Sequence, residues 1–271
     1  SDLALGMYVF GGHRATVRDV RAAVPVERFQ LSNGLTVVVM PNDRIPIASH
    51  LLIIKAGAAD DPQGKSGLAH YLEHLLFTGT KNFPEGAYER AVGRVGGAQN
   101  ASTSSDYTLY YATVPAKDLA TVMTMEADRL MHLEFNPALA ARELKVITEE
   151  RAMRIENSPG ALWYEQLNAL TFLNHPYHQP VIGWAEDMAS FTPADAQAFF
   201  ERNYRASNMI LVVAGDVNVR DVRRLAQRHY GGLPAGDAPP RAWAKEPPLR
   251  MARRGLMTDP RVNEPRLLRQ Y

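Results

Sequence analysis

The sequence predicts an α+β fold: a largely antiparallel or mixed β-sheet with helices packed on one face. Three observations lead there. Apolar, β-branched runs of strand length recur along the chain. Stretches with helical apolar spacing and recognisable ends lie between them. Their order is two strands, two helices, a strand, several helices, a strand and a helix, which is not the strict strand–helix alternation of a parallel α/β sheet.

Taken in order, residues 1–25 read as a loosely structured lead-in. "LSNGLTVVVMPND" (31–43) sets an Asn-Gly turn before a β-branched run, a strand entry. "IASHLLIIKAGAADD" (47–61) reads as a second strand. "GLAHYLEHLLFTGT" (67–80) has glycine at both ends and Leu68, Leu72, Leu75 and Leu76 at helical spacing. "GAYERAVGRVGG" (86–97) is a short helix stopped by two glycines. "NASTSSDYTLYYATVP" (100–115), rich in Thr and Tyr, reads as one strand.

Helices are expected near 116–133, 139–157 and 160–171. "TPADAQAFFERNY" (192–204) opens on Thr then Pro, an N-cap followed by a first-turn proline. "NMILVVAGDV" (208–217) is an apolar strand and 219–230 a helix. The composition then turns to Pro and Gly, which marks a linker at 236–250. Residues 251–271, ending in the strand-like "PRLLRQY", read as the beginning of a second domain that is cut short.

The bulk composition narrows the function classes. Hydrophobic residues make up 46% of the 271, enough for a real core. A formal net charge of +1 without a long basic run lacks the electrostatic footprint of a nucleic-acid binder. The chain has no cysteine, so disulfides, thiolate metal sites and cysteine nucleophiles are excluded. No stretch reaches the ~20 apolar residues of a membrane span. The compartment stays open; the Ala- and Arg-rich composition reads as bacterial, and a removed leader would fit the periplasm rather than the cytoplasm.

The chemistry concentrates in "HYLEH", His70 to His74. Residues four apart share one helix face about 6 Å apart, so both imidazoles can reach one metal ion, with Glu73 projecting beside it. Zinc in catalytic sites takes three protein ligands and leaves a position for water, whose pKa it lowers to ~7. A neighbouring carboxylate can then carry the proton to a leaving amine. The bland alternative is a pair of packed core histidines. A third ligand is available from "ARELKVITEERAMRIENS" (141–158), where Glu143 and Glu150 lie seven apart on one helix face, and Glu149 and Glu156 form a second such pair rotated by about 100°. Composition does not choose between the pairs. His175 and His178 in "HPYHQPVIG" could hold a second metal, but a turn set by Pro176 and Pro180 is the preferred reading.

In these motifs the chain resembles the pitrilysin/insulinase zinc peptidases, whose inverted motif is HxxEH. "LSNGLTVVVMPN", "GAADDPQGKSGLAHYLEHLLFTGT", "GGAQNASTSSDYTLYY", "ELKVITEER", "HPYHQPVIG" and "NYRASNMILVVAGDV" follow the family's order and spacing. The likeness covers roughly residues 26–235, and is to the N-terminal catalytic half of a bacterial member or of the mitochondrial processing peptidase. It implies that His70, His74 and Glu150 bind one zinc ion, that Glu73 is the general base and that Glu143 supports the site from outside the ligand set. It also implies that peptide or unfolded substrate pairs with an edge strand at Asn100 and Ala101. Family members carry a second half, so a second subunit or a missing C-terminal half is the expected partner. A relative that serves only as a structural or peptide-binding subunit is the alternative.

Overall fold

The computed structural model describes residues 25–237 and 240–269; residues 1–24 of the expected lead-in, together with 238–239 and 270–271, lie outside the described residues. Six strands form one mixed sheet: β1 (Glu27–Gln30), β2 (Thr36–Pro41), β3 (Ile47–Ile54), β4 (Ala98–Thr103), β5 (Thr108–Pro115) and β6 (Met209–Gly215). Their spatial order is β1-β2-β6-β3-β5-β4. Only the β2–β6 pairing is parallel; the other neighbours are antiparallel. The helices are α1 (Leu68–Leu75), α2 (Ala87–Arg94), α3 (Leu119–His132), α4 (Pro137–Arg151), α5 (Pro159–Thr171), α6 (Ala185–Met188), α7 (Pro193–Asn203) and α8 (Val219–Tyr230).

Side chains alternate between the two faces of a strand, and here the alternation sorts core from surface. In register across the sheet, Val37, Leu211, Leu52, Tyr110 and Ala101 form one row. The first four are fully buried, and Ala101 packs half-buried against the same core. Leu68, Leu72 and Leu75 of α1, Met123 of α3 and Val222 of α8 complete that core from the helix side. Burying one such aliphatic side chain stabilises the fold by roughly 1.5–3 kcal/mol. The next row over, which includes Val212, Leu51 and Tyr111, stays partly or wholly exposed.

Most expected elements form, and their ends have local causes. Asn136 caps α4 by accepting from the amides of Ala138 and Leu139 ahead of a first-turn proline. Thr192 caps α7 ahead of a first-turn proline, as expected, and Asp195 completes a reciprocal capping box. Two expectations change. The stretch 100–115 is a hairpin, not one strand, because Ser104 turns the chain: its hydroxyl oxygen accepts from the amides of Asp106 and Tyr107. The Asn-Gly turn at 33–34 joins β2 to an additional strand, β1, a short edge element with little apolar signal. None of the described helices is long and apolar enough to cross a membrane.

Among its described residues the Pro-rich stretch contains no helix or strand, yet it lies against the domain. Glu246 accepts from the backbone amides of Leu173, Asn174 and His175 at 2.7, 2.8 and 2.9 Å. Arg253 donates to the carbonyls of Leu170 and Thr171 at the end of α5.

Candidate metal centre

Helix α1 carries three of the polar residues picked out above, and it is almost wholly buried. Its first residue follows Gly67, whose φ of 91° is open to glycine and strained for other residues. Gly67 offers no side-chain cap. The partly buried carboxylate of Asp61 supplies one instead, accepting from the amides of Gly67 and Ala69, each at 2.8 Å. The apolar side chains of α1 fix its rotation, so His70 and His74 emerge together toward α4, with their rings 4.8 Å apart.

Glu150 lies in the last turn of α4. Its Oε2 stands 3.6 Å from His70 Nε2 and 3.4 Å from His74 Nε2. Three ligand atoms, one from each residue, fall within 4.8 Å of one another, the one such cluster among the described residues. Zinc bonds of about 2.0–2.1 Å at the tetrahedral angle would set neighbouring donors about 3.3 Å apart, close to the two Glu150–histidine separations. Glu150 Oε2 is buried and has no hydrogen-bond partner. A buried carboxylate oxygen left unpaired is costly, and a cation between it and the two imidazoles removes that cost. Burial, with smaller contributions from His74 and Arg154, holds His70 down at about 3, so its ring is neutral, as a ligand requires.

The other oxygen of Glu150 forms an ion pair with Arg154, whose Nε lies 3.0 Å away in the π-helical turn Ala152–Glu156 that follows α4. Glu143, about two turns back on the same helix face, places Oε2 3.6 Å from His74 Nδ1. That is beyond hydrogen-bond length, but on the ring nitrogen turned away from Glu150. The rival pair fares differently: Glu149 and Glu156 are not in the ligand cluster.

Glu73 is buried beside this group. Its Oε2 accepts from Thr103 Oγ1 at 2.5 Å. Burial raises the Glu73 pKa, and Glu150 adds to the rise; Thr103, His74 and Arg129 act the other way. Thr103 ends β4, two residues beyond Ala101, and alternation turns both toward the helices. Asn100 faces out and bonds the amide of Ala101. Among the described residues β4 pairs with β5 alone, so its other edge is open beside α1. The sequence reading did not single out Thr103 or Asp61. Period-two alternation from Ala101 could have found Thr103; nothing local marks Asp61 as a cap.

His175 and His178 form a turn. His175 Nδ1 accepts from the Tyr177 amide, His178 Nδ1 lies 2.8 Å from the His175 carbonyl, and the His175 ring packs on Tyr177 and Trp243.

Comparison with known proteins gives the same outline. Residues 37–184 match the sequence model described as insulinase, peptidase family M16, and residues 190–267 match one described as the peptidase M16 inactive domain. The boundary between the matches is not a boundary of the fold, since β6 lies within the second and pairs with β2 and β3. A zinc protease PqqE of Helicobacter pylori is 35% identical over 82% of this chain and 50% of its own length. Subunit 1 of the cytochrome b-c1 complex of Bos taurus is 30% identical over 81% of this chain and 45% of its own length. The crystal structure of a Helicobacter pylori protease superposes with a TM-score of 0.79 at 35% identity, covering 82% of this chain and 54% of that one. The chain therefore spans about half the length of the relatives it matches.

Proposed function

The chain belongs to the insulinase family of peptidases, M16, and on that premise we propose that it is the catalytic half of a zinc endopeptidase acting on peptides or unfolded polypeptide segments. His70, His74 and Glu150 hold the ion, and Glu143 orients His74 from behind. Bound there, zinc supplies Lewis acidity and brings the pKa of water to about 7. Glu73 takes the proton of the attacking water and passes it to the leaving amine. Burial favours this role, because it raises the affinity of Glu73 for a proton. Thr103 holds one carboxylate oxygen, which leaves Oε1 for the transfer. Substrate adds to the open edge of β4 at Asn100 and Ala101, gaining main-chain hydrogen bonds with little demand on sequence.

The observation that carries this reading is the unpaired, buried Glu150 Oε2 facing two imidazole nitrogens on a helix that also presents Glu73. A second subunit, or a second half joined to this one, is the proposed partner. Likeness to a b-c1 complex subunit keeps a second reading, a structural or peptide-binding role, as the rival.

The test is cleavage of a quenched fluorescent peptide by the purified chain, alone and with its partner, with zinc measured on the same sample. Glu73→Gln should keep zinc and lose cleavage; Glu150→Gln should weaken zinc retention. Equal zinc loss in both would overturn the assignment of roles. Bound zinc with no cleavage in the complete assembly would favour the non-catalytic reading.

A further inference from the structure

Two helices must hold a fixed register for Glu150 to meet His70 and His74. One bolt is plain: Tyr71 of α1 donates its hydroxyl proton to the Ala140 carbonyl near the start of α4, at 2.6 Å and buried. It lies far from Glu150, which sits where the α-helix gives way to a π turn. Something must also hold that end.

Arg151, the last residue of α4, is buried. It grips Glu165 of α5 through Nη1 at 2.7 Å and Nη2 at 3.0 Å. The same Nη1 donates to the Gly183 carbonyl at 2.8 Å. Gly183 is pressed against the entry of α1: a Cβ on it would come within 2.2 Å of the Ser66 carbonyl oxygen and 2.8 Å of Gly67 Cα. Ser66 fixes the crossing further, accepting from the Trp184 amide and donating to Asp187. His70 follows three residues after Gly67. A continuous chain of contacts thus runs from the side chain of Arg151, beside Glu150, through the Gly183 backbone to the residues just before His70.

We propose that Arg151 is a positioning residue for the metal centre: through Gly183 it ties the exit of α4 to the entry of α1, and so sets Glu150 against the two histidines. The proposal rests on the metal reading above. Arg151 touches none of the ligand atoms; its effect passes through backbone. Its nearest alternative is a purely structural ion pair with Glu165, which would support folding and leave metal affinity alone.

Metal affinity separates the two. The full chain, stripped of metal, is titrated with zinc against a chromophoric chelator. The visible spectrum of its cobalt(II) form reports ligand geometry, and thermal unfolding is followed without metal. Three variants are compared. Glu165→Gln keeps the Gly183 contact and should bind zinc within about threefold of the wild type. Arg151→Lys, and the paired Arg151→Met/Glu165→Met that leaves no lone buried charge, lose the fork and should bind roughly ten- to hundredfold more weakly, the usual cost of losing a ligand's support. Their cobalt spectra should shift, while their metal-free melting stays close to that of Glu165→Gln. A folded Arg151→Lys with zinc affinity within twofold of the wild type overturns the proposal, and so does equal weakening in Glu165→Gln. If the paired variant does not fold, Arg151→Lys against Glu165→Gln decides. A wild-type chain that takes up no zinc would instead refute the metal reading itself, and this inference with it.

Discussion

The buried pair Arg129–Glu126 gives the sharpest stability prediction. Both side chains leave water on folding, with Glu126 fully buried. Arg129 donates to Glu126 Oε1 through Nε at 2.9 Å and through Nη2 at 2.7 Å, and to Oε2 at 2.8 Å. Its guanidinium carbon lies 4.7 Å from the Phe77 ring, 5.0 Å from Tyr88 and 4.7 Å from Tyr110. Arg129→Met keeps much of the volume and strands a buried carboxylate. Breaking a buried pair from one side costs about 3–5 kcal/mol, and a lost cation–π contact adds roughly 0.5–2 kcal/mol. A domain stable by about 5–15 kcal/mol would lose a large share of its margin. Arg129→Met/Glu126→Leu removes both charges and should recover to within about 2 kcal/mol of the wild type, since apolar replacement of a whole buried pair is often close to neutral. Urea unfolding followed by circular dichroism at neutral pH reads both. A single variant within about 1 kcal/mol of the wild type, or a double variant no better than the single, refutes the reasoning.

Two further predictions use single hydrogen bonds. His50, buried on β3 with Nε2 2.7 Å from the Tyr230 hydroxyl, is held at about 4, chiefly by burial. The unfolded chain takes up this proton near pH 6.5 and the folded chain does not. Its contribution is therefore whole above pH 6.5 and falls away toward pH 4, by up to about 3 kcal/mol; urea midpoints from pH 7 to 4 should show a drop that His50→Gln reduces, and an unchanged drop would sink the assignment. Thr103→Val removes the hydrogen bond to Glu73, and bonds to a charged group contribute about 1.5–3 kcal/mol. If Glu73 is the base, kcat on a fluorescent peptide should fall roughly ten- to hundredfold with zinc content unchanged, while Thr103→Ser stays near wild type; loss of zinc in Thr103→Val would show that the residue serves the metal instead.

The legible part of the molecule was the part written in local periodicity. Leu68, Leu72 and Leu75 mark α1 by spacing alone, and the same spacing puts His70 and His74 on one face. Thr192–Pro193 marks a helix start through chemistry confined to four residues. Choosing Glu150 over Glu149 was beyond periodicity: both lie in the same helix, and only the approach of α1 decides which pair faces the histidines. Family spacing supplied that choice, and the structure brings Glu150 to the ligand cluster. Asp61, Arg151 and Arg129 were illegible for a related reason. Each matters through a partner distant in sequence or through backbone, as Asp61 does through the amides of Gly67 and Ala69. The stretch 100–115 was read as one strand because its turn uses Ser and Asp without glycine.

Glu73 shows why the polar interior and the site should be considered together. A buried carboxylate ordinarily gains so much proton affinity from lost solvation that it ceases to be ionised at neutral pH. Here Glu150 pushes in the same direction. Against them stand the Thr103 hydroxyl, the His74 ring and the charge of Arg129. The Arg129–Glu126 pair is therefore not only a core feature: the charge of Arg129 also slightly lowers the proton affinity of the carboxylate that would do the work. Thr103 is the last residue of the open strand, so the same carboxylate is fixed from the side on which substrate would add. On the proposed reading, burial gives this base a raised proton affinity while the Thr103 hydroxyl, the His74 ring and the Arg129 charge limit the rise, and the Thr103 bond fixes the carboxylate from the strand on which substrate would add.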